Sequence, residues 1–259
     1  MKKLISATVI MAVSTISASA STVLVGSSNG TIAEVDTSTG VVSNAFDAGN
    51  FNWFDIAVNN AGTAYVNDKG GTLYSVDLGL QSVTLVGGHG AFVNGLAFGG
   101  GNTLYGTGGG LLYTIDTSTG AASQVGSGVG SGFNSSGDIA FAGNNQLFGT
   151  STGGCGGGTD CLYSIDAITG AGSLVGAIGV QNVYGLAVQG GVLFGLSSDD
   201  NIYKINTTTG AGSLATGYNV AGATNGAAVQ PSTVPVPASL PLLLGGLAGL
   251  VFLRRRRKS

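Results

Sequence analysis

Apolar residues occur along this chain in short clusters of Val, Ile, Leu, Tyr and Phe, separated by stretches that are rich in glycine. The pattern predicts many short β-strands joined by tight turns, and therefore an all-β fold. Glycine contributes 48 of the 259 residues, and charged residues only 8%. Disorder is the alternative explanation for so much glycine, but disordered chains are poor in apolar residues and this one has a mean hydropathy of +0.38.

One segment repeats with a period near 40 residues. It contains an aromatic or aliphatic pair, and its copies are TIAEVD (31–36), TLYSVD (72–77), LLYTID (111–116), CLYSID (161–166) and NIYKIN (201–206). The last residues of successive copies are 41, 39, 50 and 40 positions apart, and a Thr-Gly turn follows four of the five copies. This period is the size of a four-stranded propeller blade, so the five copies predict a five-bladed β-propeller spanning residues 21–230.

A second repeated segment precedes each unit and has alanine at one position. These alanines are Ala57, Ala97, Ala140, Ala187 and Ala228. We expect them on the innermost strands, where the blades converge and larger side chains would collide. The last segment, 225–229, has no unit after it, and the first unit has no such segment before it. Both ends of the domain should therefore complete one blade, which protects a sheet edge. An open β-solenoid, the alternative, would not need this division.

Charge is distributed unevenly along the chain. Seven of the nine basic residues lie in the two terminal segments, so residues 21–230 carry two lysines against twelve acids, a net charge of −10. Nucleic-acid binding requires Lys or Arg to neutralise phosphates. We therefore expect no nucleic-acid partner.

Residues 1–20 have the features of a cleavable signal peptide. Lys2 and Lys3 precede an apolar run, and Ala18-Ser19-Ala20 forms a small-x-small cleavage site. We expect export by the Sec machinery and cleavage by signal peptidase after Ala20. A permanent anchor helix is the alternative, but the apolar run is about half of the ~20 residues that span a bilayer.

Residues 231–259 combine three elements in a fixed order. The motif Val234-Pro235-Val236-Pro237-Ala238 comes first, the apolar segment 239–253 follows, and Arg254-Arg255-Arg256-Arg257-Lys258 ends the chain. The apolar segment is predicted to be a hydrophobic transmembrane helix, and the basic end should stay in the cytoplasm with the body outside. Because the segment is short for a lasting span, temporary retention in the membrane suits it better.

In this order of elements, the tail resembles the PEP-CTERM sorting tails of Gram-negative bacteria, and more closely their VPLPA variant. Val236 departs from both, because Glu or Leu stands at that position in the two motifs. The resemblance implies cleavage near residues 235–238 by an exosortase, a membrane cysteine protease, after transient residence in the inner membrane. It also implies release to the outer surface or extracellular matrix, in a setting of exopolysaccharide and biofilm production.

The blade pattern resembles the broad YVTN, NHL and lactonase-like group of bacterial propellers. The matching residues are core and turn positions, so the resemblance implies an architecture without an activity. Our main hypothesis from the sequence is that the protein is not an enzyme, but a non-catalytic surface or matrix protein that binds polysaccharide or another envelope protein. The alternative is a propeller enzyme of the lactonase or lyase type that uses a channel cation. His89 and Glu34 are the only His and Glu, which disfavours that alternative.

Cys155 and Cys161 bound a glycine-rich insertion in the fourth spacing. Export would place them in an oxidising compartment, so we predict a disulfide between them. The pair has too few companions for a metal site, and we expect none. His89 has no nucleophile motif near it, so a loop histidine without a catalytic role is expected.

Acids at the starts of innermost strands are candidates for ligand contact. Asp55 and Asp138 should lie at the channel mouth, where carboxylates bind cations or sugar hydroxyls. Aromatic residues near the mouth would stack on sugar rings, and Trp53 is the best candidate among them.

The remaining acids are assigned to turns. Asp36, Asp77, Asp116 and Asp166 recur at strand ends, where a carboxylate accepts backbone N–H bonds from the following turn. No cofactor is expected. A structural Ca²⁺ held by Asp160 and residues 199–201 is the alternative, although the spacing lacks the EF-hand pattern.

Overall fold

The computed structural model describes residues 21–49 and 51–230. Within these residues, twenty β-strands form five antiparallel sheets of four strands each, which we call blades 1 to 5. None of the helices in this part of the chain has the length and apolar character of a membrane span. The predicted signal peptide and the predicted sorting tail both lie outside the described residues.

The strands follow one another blade by blade. Blade 1 contains β1 (Thr22–Ser27), β2 (Thr31–Asp36) and β3 (Val42–Asp47), completed by β20 (Thr224–Ala228). Blade 2 contains β4 (Trp53–Val58), β5 (Ala64–Asp68), β6 (Thr72–Asp77) and β7 (Ser82–Gly88). Blade 3 contains β8 (Gly95–Phe98), β9 (Leu104–Gly108), β10 (Leu111–Ile115) and β11 (Ala122–Val125). Blade 4 contains β12 (Ser135–Phe141), β13 (Leu147–Ser151), β14 (Cys161–Ile165) and β15 (Gly172–Ala177), with a 3₁₀ turn at Gly143–Asn145. Blade 5 contains β16 (Val183–Gln189), β17 (Val192–Ser197), β18 (Asn201–Ile205) and β19 (Gly212–Gly217).

The five blades close into a ring. The innermost strands β4, β8, β12, β16 and β20 contact one another in sequence around the axis. In blade 1, β20 pairs with β1, with Leu24 opposite Ala228 and Val25 opposite Ala227. The prediction of a five-bladed propeller with one blade built from both ends of the domain is therefore confirmed, and the open solenoid is excluded.

The hydrophobic core lies between the blades. Five buried clusters are present in the described residues, and each combines side chains from two neighbouring blades. The alanine of each innermost strand is at most 9% exposed, as expected for positions near the axis. These alanines line a narrow cavity of about 120 Å³ in the axial channel.

The Thr-Gly turns dock four of the five blades onto the blade before them. Gly120 has a φ of 81°, and a Cβ added there would lie 3.0 Å from the Gly87 Cα in the last strand of blade 2. Glycine is therefore required both for the turn and for the close approach. The acids predicted to cap the turns after β2, β6, β10 and β14 do so, since Asp36, Asp77, Asp116 and Asp166 each accept N–H bonds from residues two and three positions later.

Candidate functional site

Two carboxyl groups meet in the axial channel. Asp55 on β4 and Asp138 on β12 come from blades that are not adjacent, yet their side chains hydrogen-bond to each other. Both residues are 0% exposed. We call them the acid pair, and it lies where the five innermost strands converge.

The acid pair accepts hydrogen bonds from five backbone N–H groups, one on each innermost strand. Asp55 accepts N–H bonds from Ile56 at 2.6 Å and from Leu96 on β8. Asp138 accepts from Ile139 at 2.6 Å, from Leu186 on β16 at 2.6 Å and from Ala227 on β20 at 3.1 Å. Every innermost strand is therefore joined to the others through two side chains. Because each acid reaches the same position of the next innermost strand, these strands run side by side in one direction.

Burial controls the protonation of the acid pair. It raises the pKa of Asp55 well above the ordinary value, and the negative charge of Asp138 raises that pKa further. Burial also raises the pKa of Asp138, to about 7, although hydrogen bonds from Asp55 and three backbone N–H groups lower it. Near neutral pH, Asp55 is thus the neutral partner and donates its proton to the Asp138 carboxylate.

Three glycines provide the space for the acid pair. Gly95, Gly185 and Gly226 occupy the positions equivalent to Asp55 and Asp138 on the other innermost strands. A Cβ at Gly226 would lie 2.5 Å from the Asp55 Cα, and one at Gly95 would lie 2.6 Å from the Gly137 carbonyl oxygen. Real Cβ atoms do not approach so closely, so two acids and three glycines fill this ring of five positions.

The face on which the innermost strands begin, which we call the channel mouth, carries one asparagine from every blade. These residues stand immediately before or at the start of the innermost strands, and they are Asn52, Asn94, Asn134, Asn182 and Asn225. Some of them connect neighbouring blades: Asn225 donates to the Trp53 carbonyl at 2.8 Å, and Asn94 donates to the Ser135 carbonyl at 3.2 Å. The Asn94 Oδ1 atom is buried and has no partner among the described residues.

Aromatic side chains accompany these amides. Phe54 and Phe92 pack edge to face with centroids 6.0 Å apart, and Phe92 is 57% exposed. Tyr184 is half-buried and donates to Asn182 Oδ1 at 2.9 Å. Side-chain amides donate and accept hydrogen bonds and aromatic faces supply apolar contact area, so this combination suits a neutral polyhydroxylated ligand.

Trp53 does not take part in this surface. Its side chain is 0% exposed, and its Nε1 donates to the Gly30 carbonyl at 3.1 Å. Phe51 stacks on the indole with centroids 4.8 Å apart, and Tyr74 contacts its edge. Because the ring is packed on its faces and its N–H is paired, Trp53 anchors blade 1 to blade 2 and is not available to a ligand at the mouth.

The other residues considered from the sequence lie away from the acid pair. Cys155 and Cys161 are joined in a disulfide, with Cα atoms 5.9 Å apart. His89 is buried between blades, where its Nδ1–H donates to the Gly120 carbonyl at 2.9 Å, and burial lowers its pKa. Asp160 accepts bonds from Val183 N and Ser136 Oγ, so it fixes the start of β16.

The channel does not fit the cation that the lactonase-type alternative would use. Ca²⁺ requires six to eight oxygen ligands, and the described residues contain no group of three or more His, Cys, Asp or Glu side chains. The Asp55 and Asp138 oxygens already accept backbone N–H bonds and share a proton. Asn67, opposite Asp55 in the sheet, leaves its Oδ1 unpartnered, but one further amide oxygen does not complete such a set.

The fold and site define a class: a closed five-bladed propeller with a proton-sharing acid pair in its channel and an amide-rich mouth. No family model matches the chain, so the resemblance of its tail to sorting tails stays a prediction, and no curated protein matches it either. Among solved structures, it is similar to a gluconolactonase of Xanthomonas campestris described as important in glucose secondary metabolic pathways. The two share 16% identity over 71% of this chain and 72% of that chain, with a TM-score of 0.48.

This comparison corrects one expectation. The sequence led us to expect a protein that is not an enzyme, whereas the similar solved structure is that of a propeller enzyme. The expectation drew on the scarcity of His and Glu, but burial raises the pKa of Asp138 to about 7, so an aspartate can supply a group that titrates near neutral pH. At 16% identity, no residue role is transferred from that enzyme to this chain.

Proposed function

We propose that this protein is an exported propeller enzyme of the lactonase type, which binds a neutral sugar lactone at the channel mouth. The observation that carries the proposal is the acid pair beneath a mouth that carries five asparagines and the exposed ring of Phe92. Two carboxyl groups with separated pKa values, one neutral and one ionised near pH 7, are suited to general acid and base roles.

In the proposed reaction, the mouth binds the lactone and the acid pair transfers the protons. In lactone hydrolysis, water adds to the carbonyl carbon, the acyl C–O bond breaks, and the ring oxygen leaves as a hydroxyl after taking up a proton. The Asp138 carboxylate would accept the proton from water, and neutral Asp55 would supply the proton for the ring oxygen. Both carboxyl groups are covered in the ligand-free chain, so the proposal requires that the lactone carbonyl enter past Asn94 and Asn225.

Hydrolysis of D-glucono-1,5-lactone and related neutral lactones, followed by acid release in a pH-stat, tests the proposal. We expect Asp55→Asn to lower kcat about a hundredfold or more, because a general acid or base typically contributes 10²- to 10⁴-fold. Phe92→Ala should raise KM about three- to tenfold with little change in kcat, as expected for one lost aromatic contact. Leu80→Ala is the matched control, because Leu80 is 78% exposed in the turn between β6 and β7, away from the mouth. Hydrolysis no faster than the spontaneous reaction would overturn the proposal.

Delivery to the envelope is a separate part of the proposal. The order of signal peptide, two-proline motif, apolar segment and basic end supports export and exosortase sorting to the outer surface or matrix, where exopolysaccharide is the expected neighbour. Mass spectrometry of the mature protein tests this part. A C-terminus near residues 235–238 is expected, and an intact Arg254 to Lys258 would refute processing.

A further inference from the structure

A second cavity lies on the face opposite the mouth. It has a volume of about 450 Å³ and lies between blades 1 and 5, where the turns of Ser38 and Gly190 and the strands of Phe194 and Lys204 meet. Cavities of this size accommodate ligands as large as a monosaccharide or disaccharide. Neither the acid pair nor the mouth asparagines line it.

Ser21, the first described residue, forms part of the wall of this cavity. Its carbonyl accepts two bonds from Thr37, one from the backbone N at 2.8 Å and one from Oγ1 at 2.9 Å. Thr37 itself is 1% exposed, so a buried residue fixes the position of Ser21. The start of the domain is therefore built into the cavity.

Removal of the predicted signal peptide changes the charge of this wall. Cleavage after Ala20 converts the backbone nitrogen of Ser21 into an α-ammonium group. Lys204 lines the same cavity, and Lys69 and Lys204 are the only basic side chains between residues 21 and 230. Two of the three positive groups of the processed body would then share one cavity in a domain that is otherwise strongly acidic.

We propose that the processed protein binds a small carboxylate-bearing ligand, of the size of a sugar acid, in this cavity. The α-ammonium of Ser21 and the ammonium of Lys204 pair with the carboxylate, while Ser38 and the buried Phe194 face the body of the ligand. The site forms only when the signal peptide has been removed, because an amide nitrogen at residue 21 carries no charge. The inference rests on that cleavage, and it does not depend on lactonase activity at the mouth.

The charged groups near Ser21 are few. Glu34 and Asp36 lie on β2 and Lys204 lies on β18, whereas the β16–β17 turn and β19 carry no charged side chain. The hydroxyl of Ser38 lowers the pKa of Asp36, and its carboxylate also accepts the backbone N–H groups of Ser38 and Thr39. Glu34 accepts bonds from Asn44 and Gln230. Both acids are thus engaged with neighbouring donors.

Isothermal titration of the exported, processed protein with D-glucuronate tests the site, with D-glucose as the uncharged control. An α-amino group titrates near 7.7–8.0, so its positive charge is present below that range and is lost as pH rises through it. We expect glucuronate affinity to fall about tenfold between pH 6.5 and pH 9, and glucose not to bind in this cavity. Lys204→Gln should weaken glucuronate binding at both pH values and leave the ratio between them unchanged.

The precursor supplies the decisive comparison. Replacing Ala18 and Ala20 by Gln blocks signal peptidase and retains an uncharged nitrogen at residue 21. This uncleaved protein, purified in detergent beside the processed one, should bind glucuronate at least tenfold more weakly and without the loss between pH 6.5 and pH 9. Equal binding by the two forms, an affinity independent of pH, or no binding by processed protein would each overturn the inference.

Discussion

Replacing each acid of the pair by asparagine should have unequal effects on stability. The Asp138 carboxylate accepts three backbone N–H bonds and the Asp55 proton, whereas Asp55 accepts two N–H bonds and is itself the neutral partner. An asparagine at 55 keeps an N–H that donates to Asp138. An asparagine at 138 removes the charge and turns an amide nitrogen towards a backbone donor.

The hydrogen bonds set the expected magnitudes. In Asp138→Asn, at least one buried N–H loses its acceptor, at about 1–3 kcal/mol, and the remaining bonds lose the strength that an ionised acceptor gives them. We estimate a total loss of about 3–5 kcal/mol in the free energy of unfolding. For Asp55→Asn, one backbone donor loses its acceptor while the pair bond is kept, so we estimate about 1–2 kcal/mol.

Equilibrium unfolding in urea measures both losses. Trp53 is the only tryptophan and is 0% exposed, so its fluorescence reports the opening of the interface between blades 1 and 2. Asp199→Asn, at an exposed position, is the control and should change stability by less than about 0.5 kcal/mol. If Asp55→Asn cost as much as Asp138→Asn, the assignment of the proton to Asp55 would be wrong. If neither variant cost more than the control, the acid pair would not join the blades.

Three further predictions concern the same fold. Gly226→Ala should cost about 3 kcal/mol by forcing a methyl group against Asp55, while Gly101→Ala, which has open space around it, should be nearly neutral in urea unfolding; equal effects would contradict the crowding of the ring. Reduction of the Cys155–Cys161 bond should cost about 2 kcal/mol because it frees a short loop, and an unchanged urea midpoint in reducing buffer would show that this loop stays ordered without it. The unfolding free energy should fall from pH 5 to pH 8. The folded acid pair keeps protons that an unfolded aspartate loses near 3.9, so its contribution to stability is complete below that pH and is lost as pH rises through about 7. A urea midpoint that rises over this range would count against the raised pKa values.

The architecture could be predicted because its signals are local and repeated. Each blade carries the same strand and turn pattern, and the unpaired segments at the two ends of the domain identify the blade that they complete. The turn acids were predictable for the same reason, since Asp116 contacts residues only two and three positions away. Features of this kind depend only on contacts between residues that are close in sequence.

The acid pair could be predicted only in part. The sequence places Asp55 and Asp138 at equivalent positions with Gly95, Gly185 and Gly226, but they belong to blades that are not adjacent. Their meeting depends on the width of a five-membered ring, in which three positions without side chains leave room for two acids to cross the axis. No short-range pattern encodes that width.

For Trp53, the prediction from the sequence that it contacts a ligand fails because the sequence does not show whether its ring is exposed. An aromatic residue at the start of an innermost strand has the same sequence signal whether it faces solvent or a neighbouring blade. Here Phe51 and Tyr74 pack against the indole, and the Gly30 carbonyl accepts its N–H, so the tertiary contacts decide the outcome. The exposed aromatic residue at the mouth is Phe92, and the repeat pattern does not distinguish it from the other aromatic residues near the mouth.

A structural and a catalytic role of the acid pair impose opposite demands on pH. The proposed base is the ionised Asp138, with a pKa of about 7, so kcat for lactone hydrolysis should rise as pH increases through that value. Stability should fall from about pH 4, where an unfolded aspartate ionises while the folded Asp138 keeps its proton, and the fall should become less steep once Asp138 ionises near pH 7. If one titration governs both properties, the midpoint of the rise in kcat coincides with the pH at which the loss of stability becomes less steep. A kcat that stays constant from pH 5 to pH 8 while stability falls would leave the acid pair as a joint between blades and exclude Asp138 as the base.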